Sequence, residues 1–328
     1  MIRTGPSLKE DLATLEVQHT PLVEGLLYER HVSFIAGEPG GGKSILAMQT
    51  ALALSSGTPV FGSLSVPKPR RVYYLQLEGS YPDTIDRMRR MQQRVPIDPQ
   101  NLIWDFRKGL NLLDLKESNT LLADLAAYAP IDLLILDPLY QAVFGELAGE
   151  MPTKALVRFV DTAREHLAPC AILLIHHTKK PSTDREGKKV VEDDPFYGSQ
   201  WLKAYVDSSY ILKKGTGKYT DHVFLMSKKD RYSVSAKQLL LHYDPETDTV
   251  STDIPEAEQS PYERVVKYLS TCKREGRTTH FFEVADATKI SVRHLRRLIP
   301  VMVERGLLRV GKYEGHKRLW HPDERVPS

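Results

Sequence analysis

The sequence predicts a doubly wound α/β domain followed by a small basic module. Over the first 250 residues, short apolar or β-rich runs alternate with helical patterns. Several of the runs have no polar alternation, which is typical of strands covered on both faces. Strands that alternate with helices indicate a mostly parallel sheet between two helical layers, with ligands at the carboxyl ends of the strands.

The elements follow one another in a regular order. The predicted strands are HVSFIAG, RVYYLQLE, DLLILD, CAILLIHH, SSYILK, HVFLMSK and QLLLHY. The predicted helices are KSILAMQTALALSSG, which ends at Gly57, then YPDTIDRMRRMQQRV, SNTLLADLAAYA and TKALVRFVDTAREHL. The stretch PETDTVSTDIPEAEQSP has the composition of an exposed linker. We therefore predict two domains, residues 1–254 and 255–328.

Composition sets the broad class of the protein. The 328 residues are 41% hydrophobic and 27% charged, which is ordinary for a soluble globular chain. No apolar run approaches the ~18 residues that span a bilayer, and no signal-peptide pattern is present, so we expect a cytoplasmic protein without a membrane partner. Cys170 and Cys272 lie far apart outside any CxxC pattern, which predicts neither a disulfide framework nor a zinc site.

A glycine-rich loop carries the strongest functional signal. Residues 37–44, GEPGGGKS, match G-x-x-x-x-G-K-[ST] between a predicted strand and a predicted helix. The glycines let the backbone curl so that its N–H groups face phosphate. Lys43 is predicted to reach the β- and γ-phosphates of ATP, and Ser44 to bind Mg²⁺. The predicted nucleotide-binding residues are Gly37, Glu38, Pro39, Gly40, Gly41, Gly42, Lys43, Ser44 and Ile45.

Three further strand ends supply candidates for hydrolysis. Asp137 ends DLLILD, where the magnesium of the loop is expected, so we predict it as a metal ligand. Pro138 follows it, whereas many P-loop ATPases carry their catalytic Glu there. We therefore predict Glu78 as the water-activating base, provided that its strand lies beside the P-loop strand; the alternative is a solvated glutamate. His177, at the end of CAILLIHH, is predicted to sense the γ-phosphate, and a structural histidine is the alternative.

Together with LQLEGS, LLILDPL, HHTKK and YGSQWLKAYVDSSYIL, these motifs resemble RecA-fold ATPases of the hexameric helicase kind. Over residues 15 to 250 the chain looks closest to RepA-type plasmid replicative helicases. The resemblance implies these same roles for Lys43, Ser44, Glu78, Asp137 and His177. It also implies six-membered rings with ATP sites between subunits. The chain departs from the RepA-type pattern at Asp207, where those chains carry an arginine nine residues after the glycine of the GS motif.

A substitute for that arginine lies in the segment SKKDRYS. Lys229 and Arg231 resemble the K-x-R element by which other hexameric helicases reach a neighbour's γ-phosphate. A planar, permanently charged guanidinium suits the charge that develops in phosphoryl transfer. We predict Arg231 as an arginine finger with Lys229 beside it, and the alternative is that both are solvated surface charges.

The segment 179–200, KKPSTDREGKKVVEDDPFYGSQ, is long, charged and without periodicity. Loops of this length inside a compact domain are usually functional or disordered. The segment resembles the DNA-contacting channel loop of RecA-like motors, and a solvated loop is the alternative. The predicted phosphate contacts are Lys179, Lys180, Lys188 and Lys189.

The tail concentrates the positive charge of the chain. Residues 261–328 hold 15 Lys or Arg and 8 Asp or Glu, a net of +7, whereas the first 260 residues carry a net of −4. Helix, helix, turn, helix and a hairpin around YEGHK predict a winged helix, in which Ser291 caps the third helix. Pro300 is expected to bend or end that helix. The predicted DNA contacts on it are Arg293, Arg296 and Arg297, and docking of a protein is the alternative.

The leading functional hypothesis is ATP-driven movement on, or unwinding of, DNA by a ring of identical subunits, in replication of a plasmid, phage or mobile element. The alternative is a DNA-binding ATP switch, either a recombinase-like filament or a regulator, that hydrolyses ATP without unwinding. A small-molecule kinase is disfavoured because Glu78, Asp137 and His177 together suit water activation better than binding of an acceptor hydroxyl.

Overall fold

The structure, a computed structural model, describes residues 4–5, 12–14, 19–143, 150–178, 182–183, 189–190, 200–215, 220, 222–234, 236, 238–252, 261–277, 279–304, 307–313 and 316–322. The chain divides into two compact units, Met1–Asp253 and Ile254–Ser328. Each unit buries apolar side chains of its own. None of the helices in the described ranges is long and apolar enough to cross a membrane.

The first unit is built on a nine-stranded sheet. In the described part of this unit the strands, in chain order, are β1 (Pro21–Val23), β2 (Leu27–Tyr28), β3 (Val32–Gly37), β4 (Val72–Gln76), β5 (Leu102–Phe106), β6 (Leu133–Asp137), β7 (Ala171–His177), β8 (Ser182–Thr183), β9 (Lys189–Val190), β10 (Ser208–Lys214), β11 (His222–Asp230), β12 (Gln238–Asp244) and β13 (Thr249–Ser251). The large sheet has the order β13-β12-β11-β10-β3-β7-β6-β4-β5, and β1 with β2 and β8 with β9 form separate two-stranded sheets.

Six neighbouring strands, from β10 through to β5, run parallel. The remaining three, β11, β12 and β13, extend the sheet by antiparallel pairing. The predicted mostly parallel sheet is therefore confirmed. We call the end of the sheet where the six parallel strands finish the carboxyl edge, and the end where they begin the amino edge.

Helices cover both faces of the parallel strands. They are α1 (Lys43–Ser56), α2 (Tyr81–Met91), α3 (Leu115–Ala127), α4 (Glu150–His166) and α5 (Gln200–Tyr205), with a 3-10 turn at Leu139–Ala142. The core beneath α1 and α2 contains Ile35 of β3, and the core beneath α3 and α4 contains Phe34 of the same strand. Successive strand residues point to opposite faces, so this strand serves both cores.

Local signals account for the ends of these helices. The helix α1 ends at Gly57, as predicted, where a φ of 72° favours glycine. The side chain of Ser80 accepts a hydrogen bond from the backbone of Asp83 and so begins α2. Asp114 caps α3 in the same way, four residues before the SNTLLADLAAYA pattern begins.

The sheet differs from the sequence analysis in two respects, a condition that is not met and a strand that was not predicted. The strand leading to Glu78, β4, does not lie beside the P-loop strand β3, because β7 and β6 separate them. The order of parallel strands depends on which way each helical connection crosses the sheet, and local sequence patterns do not record this. In addition, the strand β5 was not predicted, since Asp105 interrupts its apolar run.

The second unit has the order α6 (Pro261–Arg274), β14 (Thr279–His280), α7 (Phe281–Ala287), α8 (Val292–Glu304), β15 (Arg309–Tyr313) and β16 (His316–Trp320). Its strands form an antiparallel sheet in the order β14-β16-β15. The predicted hairpin around YEGHK is confirmed, because Tyr313 pairs with His316.

The helix α8 begins at a side-chain cap and continues past a proline. The Oγ of Ser291 accepts a hydrogen bond from the backbone N–H of His294, which confirms the predicted cap. The helix neither stops nor breaks at Pro300 but runs on to Glu304. Pro300 is exposed on the side opposite the core. The residues that α8 buries are Leu295, Leu298, Ile299 and Met302.

Candidate functional site

The glycine-rich loop joins β3 to α1 at the carboxyl edge of the sheet. Gly40 and Gly42 have φ angles of 67° and 93°, in the left-handed region that side chains rarely adopt. A Cβ on Gly41 would lie 2.8 Å from the carbonyl oxygen of Glu38, and one on Gly37 would lie 2.9 Å from that of Leu212. The loop therefore needs glycine both for its backbone angles and for the close approach of its own chain.

Lys43, the first residue of α1, turns its side chain back over this loop. Its Nζ donates to the carbonyl oxygens of Gly37 at 3.0 Å and Glu38 at 2.9 Å, and it lies 3.0 Å from Nδ1 of His177. Burial lowers the pKa of Lys43, and the nearby carboxylates of Asp137 and Glu78 oppose this effect. The sequence-predicted lysine and histidine thus meet directly.

The contact with Lys43 also fixes the protonation of His177. Burial lowers the pKa of the imidazole, and the positive charge of Lys43 lowers it further, so the ring is neutral at pH 7. Because an ammonium group can only donate, Nδ1 accepts and the single ring proton lies on Nε2. This proton is a donor suited to a phosphate oxygen.

Asp137, the last residue of β6, lies beneath the loop with a side chain that is 4% exposed. Ser44 donates its hydroxyl to Oδ1 at 3.1 Å, and Tyr74 donates its hydroxyl to Oδ2. Burial raises the pKa of Asp137 to about 6, although these two hydrogen bonds and Lys43 act in the opposite direction. The predicted metal ligands Ser44 and Asp137 therefore lie together.

Tyr74 belongs to the site although sequence reasoning did not single it out. Its ring is fully buried and stacks on Trp104, with centroids 3.9 Å apart and planes 7° from parallel. Trp104 donates its indole N–H to the side chain of Gln76. Burial and the charge of Asp137 raise the pKa of Tyr74, so it stays a donor. In the sequence, a tyrosine in an apolar strand indicates only a core residue.

Glu78 lies two residues beyond the end of β4. It contacts Tyr140, which lies in the turn that follows β6. The Oε2 of Glu78 accepts a hydrogen bond from the hydroxyl of Tyr140 at 2.5 Å. The ring of Tyr140 lies 4.9 Å from the ring of His177. Although β4 is not a neighbour of β3, the carboxylate of Glu78 is close enough to influence both Lys43 and Asp137.

The structure places Lys229 and Arg231 at the amino edge. Arg231 pairs with Asp207 at 3.0 Å, and Asp207 accepts a second hydrogen bond from the backbone N–H of Val32, the first residue of β3. From Val32 to Gly37 the strand spans roughly 17 Å. Arg231 therefore does not share a site with Lys43 of the same subunit.

Lys229 is held by the end of α5. Its Nζ donates to the carbonyl oxygens of Lys203, Ala204 and Val206 at 2.8, 2.8 and 2.6 Å. These are the carbonyls that a helix leaves without partners at its C-terminus. In this structure Lys229 therefore anchors α5 next to Arg231, which itself donates to Ala204.

The predicted DNA contacts divide between the two units. Lys179, Lys180 and Lys188 lie outside the described residues, and Lys189 lies in β9, of which only the backbone is described. In the second unit, Arg293, Arg296 and Arg297 are exposed on the face of α8 opposite its core, together with His294. This face is strongly basic.

The donors at the carboxyl edge fit a magnesium-bound nucleoside triphosphate. The oxygens of Ser44 and Asp137 suit a hard cation such as Mg²⁺, which would neutralise phosphate charge. The loop glycines and the start of α1 direct backbone N–H groups to the place where phosphates bind, and Lys43 adds a positive charge. Glu38 and Pro39 are exposed at the tip of this loop, and Ile45 packs against the core under α1.

Comparison with known proteins identifies the family and the fold. The profile of a family described as AAA domain matches residues 6–183, more than half of the chain. No curated protein matches the chain. Among solved structures, the ATPase domain of G40P has a TM-score of 0.53 and 14% identity, over 75% of this chain and 96% of that one.

A second solved structure, a DnaB-like replicative helicase described with its interactions with primase, has a TM-score of 0.52 and 14% identity, over 75% of this chain and 66% of that one. At this level of identity the likeness establishes the fold alone. The RecA-like P-loop fold predicted from the sequence is thereby confirmed, whereas the RepA-type assignment and the winged helix remain predictions.

We expect Tyr74→Phe to weaken magnesium-dependent nucleotide binding about 10-fold, because outer partners orient the groups that bind a metal. Tyr73→Phe is the matched control, since Tyr73 lies next to it on β4 and donates its hydroxyl to Asp105 on the opposite face of the sheet. Each variant loses one hydrogen bond, worth about 1 kcal/mol of stability. Titration of a fluorescent nucleotide with and without Mg²⁺ measures the effect, and equal affinities for the two variants would contradict the role of Tyr74.

Proposed function

The chain belongs to the AAA domain family, and from its RecA-like fold, its P-loop site and the basic face of its second unit we propose that it is an ATP-driven DNA motor, a helicase-like ATPase that works as a ring of identical subunits. Replication of a plasmid, phage or mobile element is the setting that we propose. The other candidate is a DNA-binding ATPase switch, and the basic face of the second unit would serve it equally well.

One observation carries the proposal of a ring. The loop, Lys43, Asp137, Glu78 and His177 gather at the carboxyl edge, whereas Arg231 lies at the amino edge, roughly 17 Å away along β3. A cation so placed is too far from the γ-phosphate bound in its own subunit, and in the proposed ring it would reach the γ-phosphate of a neighbour. An arginine supplied by a neighbour is a known device for stabilising phosphoryl-transfer charge.

In the proposed reaction, the loop and Lys43 hold the phosphates of ATP, while Ser44 and Asp137 hold the magnesium. Glu78 takes a proton from water, whose oxygen attacks the γ-phosphorus as the bond to the β–γ bridging oxygen breaks, so ADP and phosphate are formed. His177 donates a hydrogen bond from its Nε2–H group to an oxygen of the γ-phosphate and loses this partner when phosphate leaves. The neighbour's arginine stabilises the transferred charge.

Arg231 is suited to act in a ring because its position is fixed. Asp207 and the carbonyl oxygen of Ala204 hold its guanidinium, yet the side chain is 43% exposed. A pre-organised, accessible arginine loses little freedom when it binds phosphate. Lys229 fixes the end of α5 and so supports this geometry, in addition to its proposed place in the K-x-R element.

DNA would be bound in two places. The exposed arginines of α8 lie on one helical face, and the order of helices and strands in the second unit supports a winged helix, whose third helix enters the major groove. The lysines of segment 179–200 are the proposed contacts inside a ring.

Two measurements together test the proposal. The first is the mass of the particle with and without ATP and DNA, and the second is strand displacement from a forked duplex. A ring that unwinds the duplex supports the motor. An ATP-dependent complex that hydrolyses ATP and never displaces a strand would replace the motor with the switch.

We expect Lys43→Ala to abolish productive ATP binding, because the phosphates lose their main positive partner. Glu78→Gln should still bind ATP and magnesium but hydrolyse at least ~100-fold more slowly, in line with the contribution of a general base. Binding and steady-state hydrolysis, measured on the same preparations, separate the two effects. Near-normal turnover by Glu78→Gln would remove this residue as the base.

Arg231→Ala should keep ATP binding and lose most hydrolysis. When it is mixed with Glu78→Gln, some sites combine an intact Glu78 with a neighbour's intact Arg231, so part of the activity should return. The control is a mixture of Arg231→Ala with the double variant Glu78→Gln/Arg231→Ala, in which no such site can form. If demonstrably mixed oligomers show no recovery, Arg231 acts within its own subunit or only supports the fold.

Deletion of residues 256–328 should leave ATP binding intact and reduce affinity for duplex DNA. The isolated segment should bind duplex with an affinity that falls steeply with salt, with a log–log slope of about −0.9 per phosphate contacted. The triple variant Arg293→Ala/Arg296→Ala/Arg297→Ala should weaken this binding and flatten the slope. If the segment binds no DNA at low salt and deletion changes nothing, the basic face docks a protein or is only solvated.

A further inference from the structure

Tyr140 has no role in the reaction proposed above, yet it contacts two residues of the site, Glu78 and His177. It lies in the 3-10 turn Leu139–Ala142, three residues after Asp137. The sheet order β7-β6-β4 places this turn after the middle strand of the three. The turn is therefore placed between His177, which ends β7, and Glu78, which follows β4.

The contacts of Tyr140 with Glu78 and His177 have well-defined geometry. Its hydroxyl donates to Oε2 of Glu78 at 2.5 Å, a short distance typical of a hydrogen bond to a carboxylate. Its ring centroid lies 4.9 Å from that of His177, within the range of interacting aromatic rings. Burial and the hydrogen bond to Glu78 raise the pKa of Tyr140, so the hydroxyl keeps its proton and remains a donor.

The location of Glu78 explains why its side chain needs a hydrogen-bond donor to hold it. Glu78 lies just beyond the last residue of β4, is followed by Gly79 with a φ of 83°, and is only half-buried. A glutamate side chain in this place has several rotamers open to it, and ordering such a chain costs on the order of 1.5–2 kcal/mol. A fixed donor reduces the number of rotamers that the carboxylate visits.

We propose that Tyr140 is a positioning residue that holds the carboxylate of Glu78 in the orientation for attack by water and keeps it in register with His177. The inference rests on the proposed function, because it takes Glu78 as the base. One oxygen of Glu78 is held by Tyr140, and the other accepts the proton of the water. The same ring limits the movement of His177, so base and sensor are aligned by one side chain.

Tyr140→Phe tests the hydrogen bond while it keeps the ring against His177. We expect kcat for ATP hydrolysis to fall about 10-fold with KM unchanged, since misplacing a reacting group by a fraction of an ångström has effects of this size. The matched control is Tyr128→Phe, because Tyr128 is also an exposed tyrosine but lies at the end of α3, where its ring contacts Tyr73. This control should hydrolyse ATP as the parent does.

A double-mutant cycle separates positioning from a general effect on the fold. In the Glu78→Gln background, Tyr140→Phe should cause little further loss, because the group it positions no longer acts as a base. Equal losses in both backgrounds would overturn the proposal, as would unchanged kcat in Tyr140→Phe. Normal turnover by Glu78→Gln alone would instead show that Glu78 is not the general base of the proposed reaction. The proposed role of Tyr140 would then fail as well.

Discussion

The buried carboxylate of Asp137 is the constraint on which the site depends. A carboxylate in an apolar interior is costly unless donors surround it. Here Tyr74 and Ser44 each donate to one oxygen, from β4 and from α1. Because β6 lies between β7 and β4, the strands and the helix that supply these partners must keep their places for Asp137 to be tolerated. The hydrogen bond from Ser44 also keeps Oδ1 directed at the start of α1, which follows the loop.

Strand geometry then decides which residues can work together. Side chains alternate between the faces of a sheet, so Asp137 and His177 share the face covered by α1, where Lys43 begins the helix. His176 points to the other face, against Phe34. Parallel strands finish at the same edge, and that is why residues from three separate strand ends meet around one loop.

Much of this site could be predicted from the sequence because its signals are local. The loop 37–44 and the strand-ending Asp137 and His177 are each visible in a few residues. The position of β4 beside β3 was a condition that the sequence could not test and that the structure does not meet, since strand order is a property of the whole sheet. Tyr74 and Tyr140 were not predicted for a related reason. Tyr74 of β4 contacts Asp137 of β6, and Tyr140 after β6 contacts Glu78 after β4, and no spacing in the sequence indicates these contacts.

The contacts of Asp207 explain why an acidic residue is tolerated at this position. The resemblance to RepA-type helicases, which remains a prediction, implies an arginine where this chain has Asp207. In the structure, Asp207 instead holds the guanidinium of Arg231, which comes from the end of the neighbouring strand β11. Its second oxygen is fixed by the backbone of Val32, and its side chain is 5% exposed. A buried carboxylate of this kind requires a positive partner, so the aspartate and the arginine depend on each other. Arg231 thus provides a cation at the amino edge, and the proposed ring depends on this location in the fold.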